Sequence, residues 1–304
     1  MPRLSQTLRE RGLSNSEVRR ALDSGKVFLD GIPTGDGGRD VQPERVELRP
    51  TAPRLTPGRD LFVVHRDPHL VVVWKPAGLL AVPARSRDDG HISVLSVVAN
   101  IVGHKVLPVH RIDAPTSGLM MVACTEAAQL HLKAQLEAHT VERRYLAFVA
   151  GHVPDQMTID RPLIRDRGDG RRGAVPEGGY VPQGALAAVT HVKRIRLVGR
   201  RTSLVSATLE TGRTHQVRLH LDAVGHPLLG DTLYAPAPVA GRSPRLALHA
   251  GVLGVDHPTT GERLRFETPL PDDLEQLRRT HTRPPTPKPP RQDRRRKSKH
   301  RRKR

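Results

Sequence analysis

The chain has 304 residues, 37% hydrophobic and 3% aromatic, with 50 Lys and Arg against 31 Asp and Glu and a formal net charge of +19. That length allows a large core and more than one domain, and the cationic excess points to a nucleic acid, whose counterions are released as its phosphates are neutralised. A single cysteine, Cys124, excludes an internal disulfide and a cysteine-based zinc site, and no apolar run approaches the roughly 18 residues of a membrane span.

The first residues, MPRLSQTLRERG, lack the apolar stretch of a signal peptide, so a reduced, cytoplasmic protein without a membrane partner is expected. Residues 1–50 read as a small α/β unit. Leu4, Leu8 and Leu13 open it. Ser14 or Ser16 can cap a helix carrying Val18 and Leu22, with Arg19 and Arg20 on its outer face and Gly25 placed to end it. Lys26 to Leu29 is then a short strand, Asp30-Gly31 a tight turn and VELRP a closing strand. The leucines, the Ser14, Val18, Arg19, Gly25, Val27, Gly31 spacing and the later Val41, Val46 and Leu48 resemble the RNA-binding domain named for ribosomal small-subunit protein S-four. That resemblance implies RNA contact through Arg19 and Arg20.

Residues 51–60, TAPRLTPGRD, read as a linker. LFVVHRDPHLVVVWKPAGLLAVP follows with two β-branched runs around RDPH and a break at Lys75-Pro76-Ala77-Gly78. LMMVACT (119–125) is a buried strand, and TEAAQLHLKAQLEAH a helix with Thr125 as its N-cap and Leu132 and Leu136 one turn apart. VERRYLAFVAG is a strand, residues 165–185 an exposed loop, and residues 189–212 two strands joined at Gly199-Arg200-Arg201. Thr214 to Val224 is expected as a helix and RLALHAGVLGV as a last strand. Many short strands with few helices predict an α+β domain over 61–280 with a mainly antiparallel sheet. From His281 to Arg304 twelve Lys and Arg face one Asp, so eleven of the 19 excess charges lie in an expected disordered basic tail.

Three segments carry chemistry. HRIDAPTSG (110–118) sets Asp113 behind His110 and Arg111, and Thr116-Ser117-Gly118 reads as the turn that follows. RRYLAFVAG puts Tyr145 in an apolar strand. The segment from Thr211 to Asp231 carries Arg213, His215, Arg218, His220 and His226. Alone, the aspartate reads as a turn former and the tyrosine as packing. On a helix His215 and His220 would stand about 140° apart, so they do not converge on a metal.

Together and in this order the segments resemble the RluA family of pseudouridine synthases. Its His-Arg-Leu-Asp-x-x-Thr-Ser-Gly hallmark stands here with Ile112 for Leu. WKPAGLLAVP is similar to its Asn-Lys-Pro-x-Gly strand end with Trp74 for Asn, and VERRYLAFVAG to its Val-x-Lys-x-Tyr-x-Ala-x-Val-x-Gly strand with Arg143 for Lys. The later LALHA completes the order.

The resemblance implies an α+β fold, a bent mixed, mainly antiparallel sheet with flanking helices and a cleft across its middle. It implies the isomerisation of uridine to pseudouridine in RNA, without metal, redox or nucleotide cofactor. It gives Asp113 as the catalytic carboxylate, acting on the ribose as nucleophile or as base at its 2′ proton, and Arg218 as its buried partner. Tyr145 would stack on the base, its hydroxyl assisting proton removal at C5. A base stacked in RNA must be flipped out to react. Arg111 would fill the vacated space or grip the adjacent phosphate. Lys75, Arg213 and His215 would contact phosphate or support the cleft, and His110 would be structural. The expected partner is large-subunit ribosomal RNA, with transfer RNA as the alternative, and the protein is expected to be a monomer. A non-catalytic RNA-binding or ribosome-assembly protein is the competing reading. Asp113, Tyr145 and Arg218 together favour the enzyme.

Overall fold

The computed structural model describes residues 2–23, 26–29, 32–33, 37, 40–50, 61–83 and 92–282. The expected stop at Gly25, the Asp30-Gly31 turn, the 51–60 linker and the chain beyond residue 282 lie outside the described residues.

Near the N-terminus, α1 (Leu4–Glu10) and α2 (Asn15–Asp23) share a core with β1 (Val27–Leu29) and β3 (Val46–Leu48), and β2 (Ile32–Pro33) pairs with β1, giving an antiparallel sheet in the order β2-β1-β3. Leu4, Leu8, Val18, Val27, Leu29 and Val46 fill that core. Ser14 is the residue that starts α2, because Ser14 and Glu17 form a reciprocal box. The Ser14 hydroxyl accepts the Glu17 N–H at 3.3 Å, and the Glu17 carboxylate accepts the Ser14 N–H at 2.8 Å.

The larger part runs from β4 (Phe62–Arg66) and β5 (Leu70–Lys75) through α3 (Val94–Val102), β6 (Leu107–Pro108), β7 (Ser117–Ala123), α4 (Glu126–Glu137) and β8 (Glu142–Ala150). It continues as β9 (Gln156–Asp160), β10 (Leu163–Ile164), β11 (Gly173–Ala174), β12 (Val189–Leu197) and β13 (Thr202–Leu209). Then come α5 (Gln216–Ala223), α6 (Ala237–Ala240), β14 (Leu248–Asp256), β15 (Arg263–Glu267) and α7 (Asp272–Thr282). Ten strands form one sheet in the order β4-β5-β7-β14-β8-β13-β12-β9, with β6 beside β7 and β15 beside β14. The α+β architecture with a mainly antiparallel sheet and flanking helices is the one the sequence predicts. Among the described residues no helix is long and apolar enough to cross a membrane.

Strand alternation explains how the sheet is covered. Met120 packs with Val71, Val73, Val94 and Val98 on the α3 face, while Met121 packs with Leu70, Val72 and Leu132 on the α4 face. Both methionines are fully buried, and truncating either to Ala is worth about 2–5 kcal/mol.

The parallel pair lies at the centre. β7 meets β14 at Ser117–His249 and Gly118–Ala250. Gly118 is therefore not the turn residue the sequence suggests; it lies inside β7 with φ 120°, and a Cβ there would run into the backbone of Ala250. His249 is fully buried under this crossing, its Nδ1 3.0 Å from Ser117 Oγ and its Nε2 2.9 Å from Thr268 Oγ1. Burial pushes its pKa down to about 3, so the ring is neutral.

Two helices fall where the sequence reading gives no element. α3 is apolar and rich in valine. It is fixed as a helix by a box between Ser93 and Ser96 and by Gly103 in the left-handed conformation at its end. α7 runs to Thr282, so the expected domain end at 280 and tail start at 281 fall inside a helix.

Candidate active site

A cleft of about 440 Å³ opens where the loop before β7, the start of β8, the end of β13 and the N-terminus of α5 meet. Asp113, Tyr145, Arg218, Arg111, Arg213 and His215 all line it, although up to 105 residues separate Asp113 from Arg218 in the chain. Lys75, Arg19 and Arg20 are not among the lining residues; Arg19 and Arg20 lie on the exposed side of α2.

Asp113 is held by its own backbone and its neighbour's. Its carbonyl accepts the Thr116 N–H at 3.0 Å, closing a tight turn. The next carbonyl, of Ala114, accepts the Gly78 N–H at 2.7 Å and Lys75 Nζ at 2.9 Å. Lys75 also donates to the carbonyls of Pro76 (2.9 Å) and Leu79 (2.8 Å) and is fully buried. Of the two roles expected of Lys75, phosphate contact or cleft support, its burial fits the second. Its three donors are used inside the protein, and its place is that of a strut beneath the Asp113 loop. Burial lowers its pKa to about 7, against the attraction of Asp113.

Arg218, on α5, is answered by two carboxylates. Nε and Nη2 each donate to Asp231 at 2.8 Å, a bidentate pair, while Nη1 reaches Asp113 Oδ2 at 3.3 Å. Asp231 also accepts the N–H groups of Leu233 at 3.0 Å and Tyr234 at 3.2 Å. Burial works against the guanidinium charge, but the Asp231 bonds and then Asp113 more than offset it, and its pKa is raised. The Tyr234 ring covers the same guanidinium, with Arg218 Cζ 4.9 Å from the ring centroid. Asp231 escaped the sequence reading because an acid in LLGDTLY resembles a turn residue. The signal available was Gly230 before it, whose left-handed φ of 74° and close approach to Arg245 mark a constrained corner.

His215 is the N-cap of α5 with φ 61°, not a residue within the helix, so the 140° argument for His215 and His220 does not apply. The histidines are separated by their partners instead. His215 Nε2 lies 3.7 Å from Asp113 Oδ1 and its Nδ1 2.7 Å from the Tyr234 hydroxyl, whereas His220 lies within 2.8 Å of Thr190 Oγ1 and 2.9 Å of the Arg161 carbonyl. Burial lowers the His215 pKa, partly opposed by Asp113. Among the described residues no group of three or more His, Cys, Asp or Glu is placed to hold a metal ion.

The loop that carries Arg213 and His215 is organised by Gln216, which sequence reasoning also passed over. Its side-chain oxygen accepts the Arg213 N–H at 3.0 Å and the Thr211 hydroxyl at 2.7 Å, and its amide donates to the Val189 carbonyl at 2.9 Å. Arg111 stays exposed at the rim. His110 is half-buried and neutral, its Nε2 accepting the Met121 N–H at 3.0 Å while desolvation of the ring drives its pKa down to about 3. Tyr145 is buried in the cleft wall, and burial pushes its phenol up to about 12, so the hydroxyl is neutral.

The arrangement supplies a fixed carboxylate, a locked cation beside it, a flat aromatic wall and a cationic rim. The RNA pseudouridylate synthase family pattern matches residues 69–223. The ribosomal large subunit pseudouridine synthase D of Pseudomonas aeruginosa is 37% identical over 282 residues, covering 86% of this chain and 85% of that protein. The uncharacterized RNA pseudouridine synthase YlyB of Bacillus subtilis is 37% identical over 285 residues, covering 88% of this chain and 89% of its own. Among solved structures, human RNA pseudouridylate synthase domain containing 1 superposes with a TM-score of 0.58 at 25% identity, over 77% of this chain and 100% of that one. The chain belongs to the RNA pseudouridylate synthase family and is a pseudouridine synthase.

Proposed function

We propose that this pseudouridine synthase acts on a uridine of large-subunit ribosomal RNA, with Asp113 as the catalytic carboxylate, Arg218 as its charge partner and Tyr145 as the wall on which the flipped base stacks. One observation carries the site assignment: Asp113 faces the cleft from a clamped loop, with Arg218 Nη1 3.3 Å away and Arg218 itself locked by Asp231. The Arg218 guanidinium sets a fixed positive charge beside a carboxylate that is to attack the ribose or remove its 2′ proton. Support for the ribosomal substrate comes from relatives that are named for it. Arg111, Arg213 and His215, around the cleft opening, suit the phosphates on either side of a flipped nucleotide.

We read residues 1–50 as an accessory RNA-binding domain of the S-four type, carrying Arg19 and Arg20 to the RNA, and residues 61–282 as the catalytic domain, in a cytoplasmic protein. The experiment is a map of pseudouridine in ribosomal and transfer RNA from cells lacking the gene, complemented with wild type or Asp113→Asn. The expected outcome is one or a few ribosomal positions lost on deletion and restored by wild type alone. Loss confined to transfer RNA overturns the substrate, and restoration by Asp113→Asn overturns the site.

A further inference from the structure

One buried cation of the cleft is left without a task by that reading. Arg143 precedes Tyr145 by two residues on β8, so strand alternation sends both side chains to the face that lines the cleft. Arg143 is only 8% exposed. Among the described residues its one hydrogen bond runs from Nη2 to the Glu210 carbonyl at 2.9 Å; Nε is buried without a partner, and no carboxylate pairs with the group. Room for it is made by Gly212, where a Cβ would run into Arg143 Nη1. A buried guanidinium with spare donors and no counter-charge is unfavourable in the resting protein, which points to an anion supplied during turnover.

Two anions are available on RNA, a backbone phosphate and the base itself during reaction. The exposed Arg111 and Arg213 at the cleft opening suit backbone phosphates. Arg143 instead lies in the buried wall next to Tyr145, on the side where the base is received. Isomerisation begins by breaking the bond from C1′ to N1, and its electron pair leaves with the base. The detached uracil is then an anion, its charge shared over N1, O2 and O4. C5 next bonds to C1′, the C5 proton is lost and N1 gains a proton, so the product is an isomer of the substrate.

We propose that Arg143 is a further catalytic residue that donates hydrogen bonds to a carbonyl oxygen of the detached uracil anion while the base turns. The inference rests on the roles given above to Asp113 and Tyr145. A fixed donor aimed at charge that appears only in the course of reaction accelerates the chemical step without tightening substrate binding. Lysine preserves the charge at this position; methionine preserves much of the side-chain length and removes it.

The test measures single-turnover rate at saturating RNA and Kd on a large-subunit ribosomal RNA fragment containing the mapped uridine, for wild type, Asp113→Asn, Arg143→Met and Arg143→Lys. Arg143→Met is expected to slow the saturating rate about 100-fold with Kd within about threefold, and Arg143→Lys to recover to within about tenfold of wild type. The same RNA with 5-fluorouridine at the target has a base anion already stabilised by fluorine. There the Arg143→Met deficit in the rate of fluorouridine consumption is expected to shrink to about tenfold or less. A weakened Kd with an intact saturating rate marks a phosphate contact and overturns the proposal. So does equal slowing on both RNAs, which marks a structural role. An inactive Asp113→Asn beside a wild-type-like Arg143→Met overturns this inference alone, whereas an active Asp113→Asn overturns the reading of the site beneath it.

Discussion

Arg218 and Lys75 are both buried cations beside Asp113, and the cleft treats them in opposite ways. Arg218 is met by two carboxylates, so its charge is held and its pKa rises. Lys75 is met by three carbonyl oxygens, which use its protons but bring no opposite charge, and burial draws its pKa down to about 7. The lesson is that burial alone does not define a catalytic cation. Carboxylate partners make Arg218 a permanent charge that can act on Asp113. Carbonyl partners make Lys75 a brace for the backbone that carries Asp113.

Arg218→Met breaks the contrast most severely. It leaves Asp231 buried without its partner and Asp113 without its cation, so a stability loss of about 3–5 kcal/mol is expected in denaturant unfolding. The rate at saturating RNA should fall by about 10³-fold. A variant with wild-type rate would mean that Asp113 does not depend on this pair.

Lys75→Met sharpens the contrast. Three carbonyls lose their donor while a buried charge is removed, and the net cost is expected at about 1–3 kcal/mol. RNA affinity should stay within about twofold of wild type, because Lys75 touches no solvent. A tenfold loss of affinity at unchanged melting temperature would return Lys75 to the RNA-contacting set.

The smallest effect concerns two neutral histidines. His249 and His110 have folded pKa values near 3 against an ordinary 6.5. The unfolded chain therefore binds protons that the folded chain refuses between about pH 6.5 and 3, and stability falls as pH drops through that window. Melting temperature should decline steadily from pH 7 to 4, and His249→Gln should flatten the decline by about half while costing about 1 kcal/mol at neutral pH. An unaltered slope in His249→Gln would place the acid sensitivity elsewhere.

Local signals in the sequence were good guides where the cause is itself local. The Ser14 to Glu17 box, the Thr125 cap of α4 and the alternation in β8 all lie within a few residues of the element that they define. Asp113, Tyr145 and Arg218 stood out because their segments carry family motifs, and the fold gathers them. Asp231 and Gln216 did not stand out, since each matters through partners that no periodicity encodes. Gln216 binds the Val189 carbonyl 27 residues away, and Asp231 matters only because it meets Arg218 and a corner of backbone. Gly118 was misread for the same reason. A glycine before an apolar run signals a turn unless one knows that another strand crosses there.

The crossing of β7 and β14 joins Ser117 to His249, side chains 132 positions apart. A loop of that span must be closed before the contact repays its entropy, which slows formation of the sheet's centre. During synthesis, the loop of Asp113 therefore waits for nearly the whole catalytic region to emerge before the start of the strand that follows it meets β14. Nascent chains truncated before Leu248 lack the element that joins β7 to β8, and they carry every cleft-lining residue but one without the strand that brings them together.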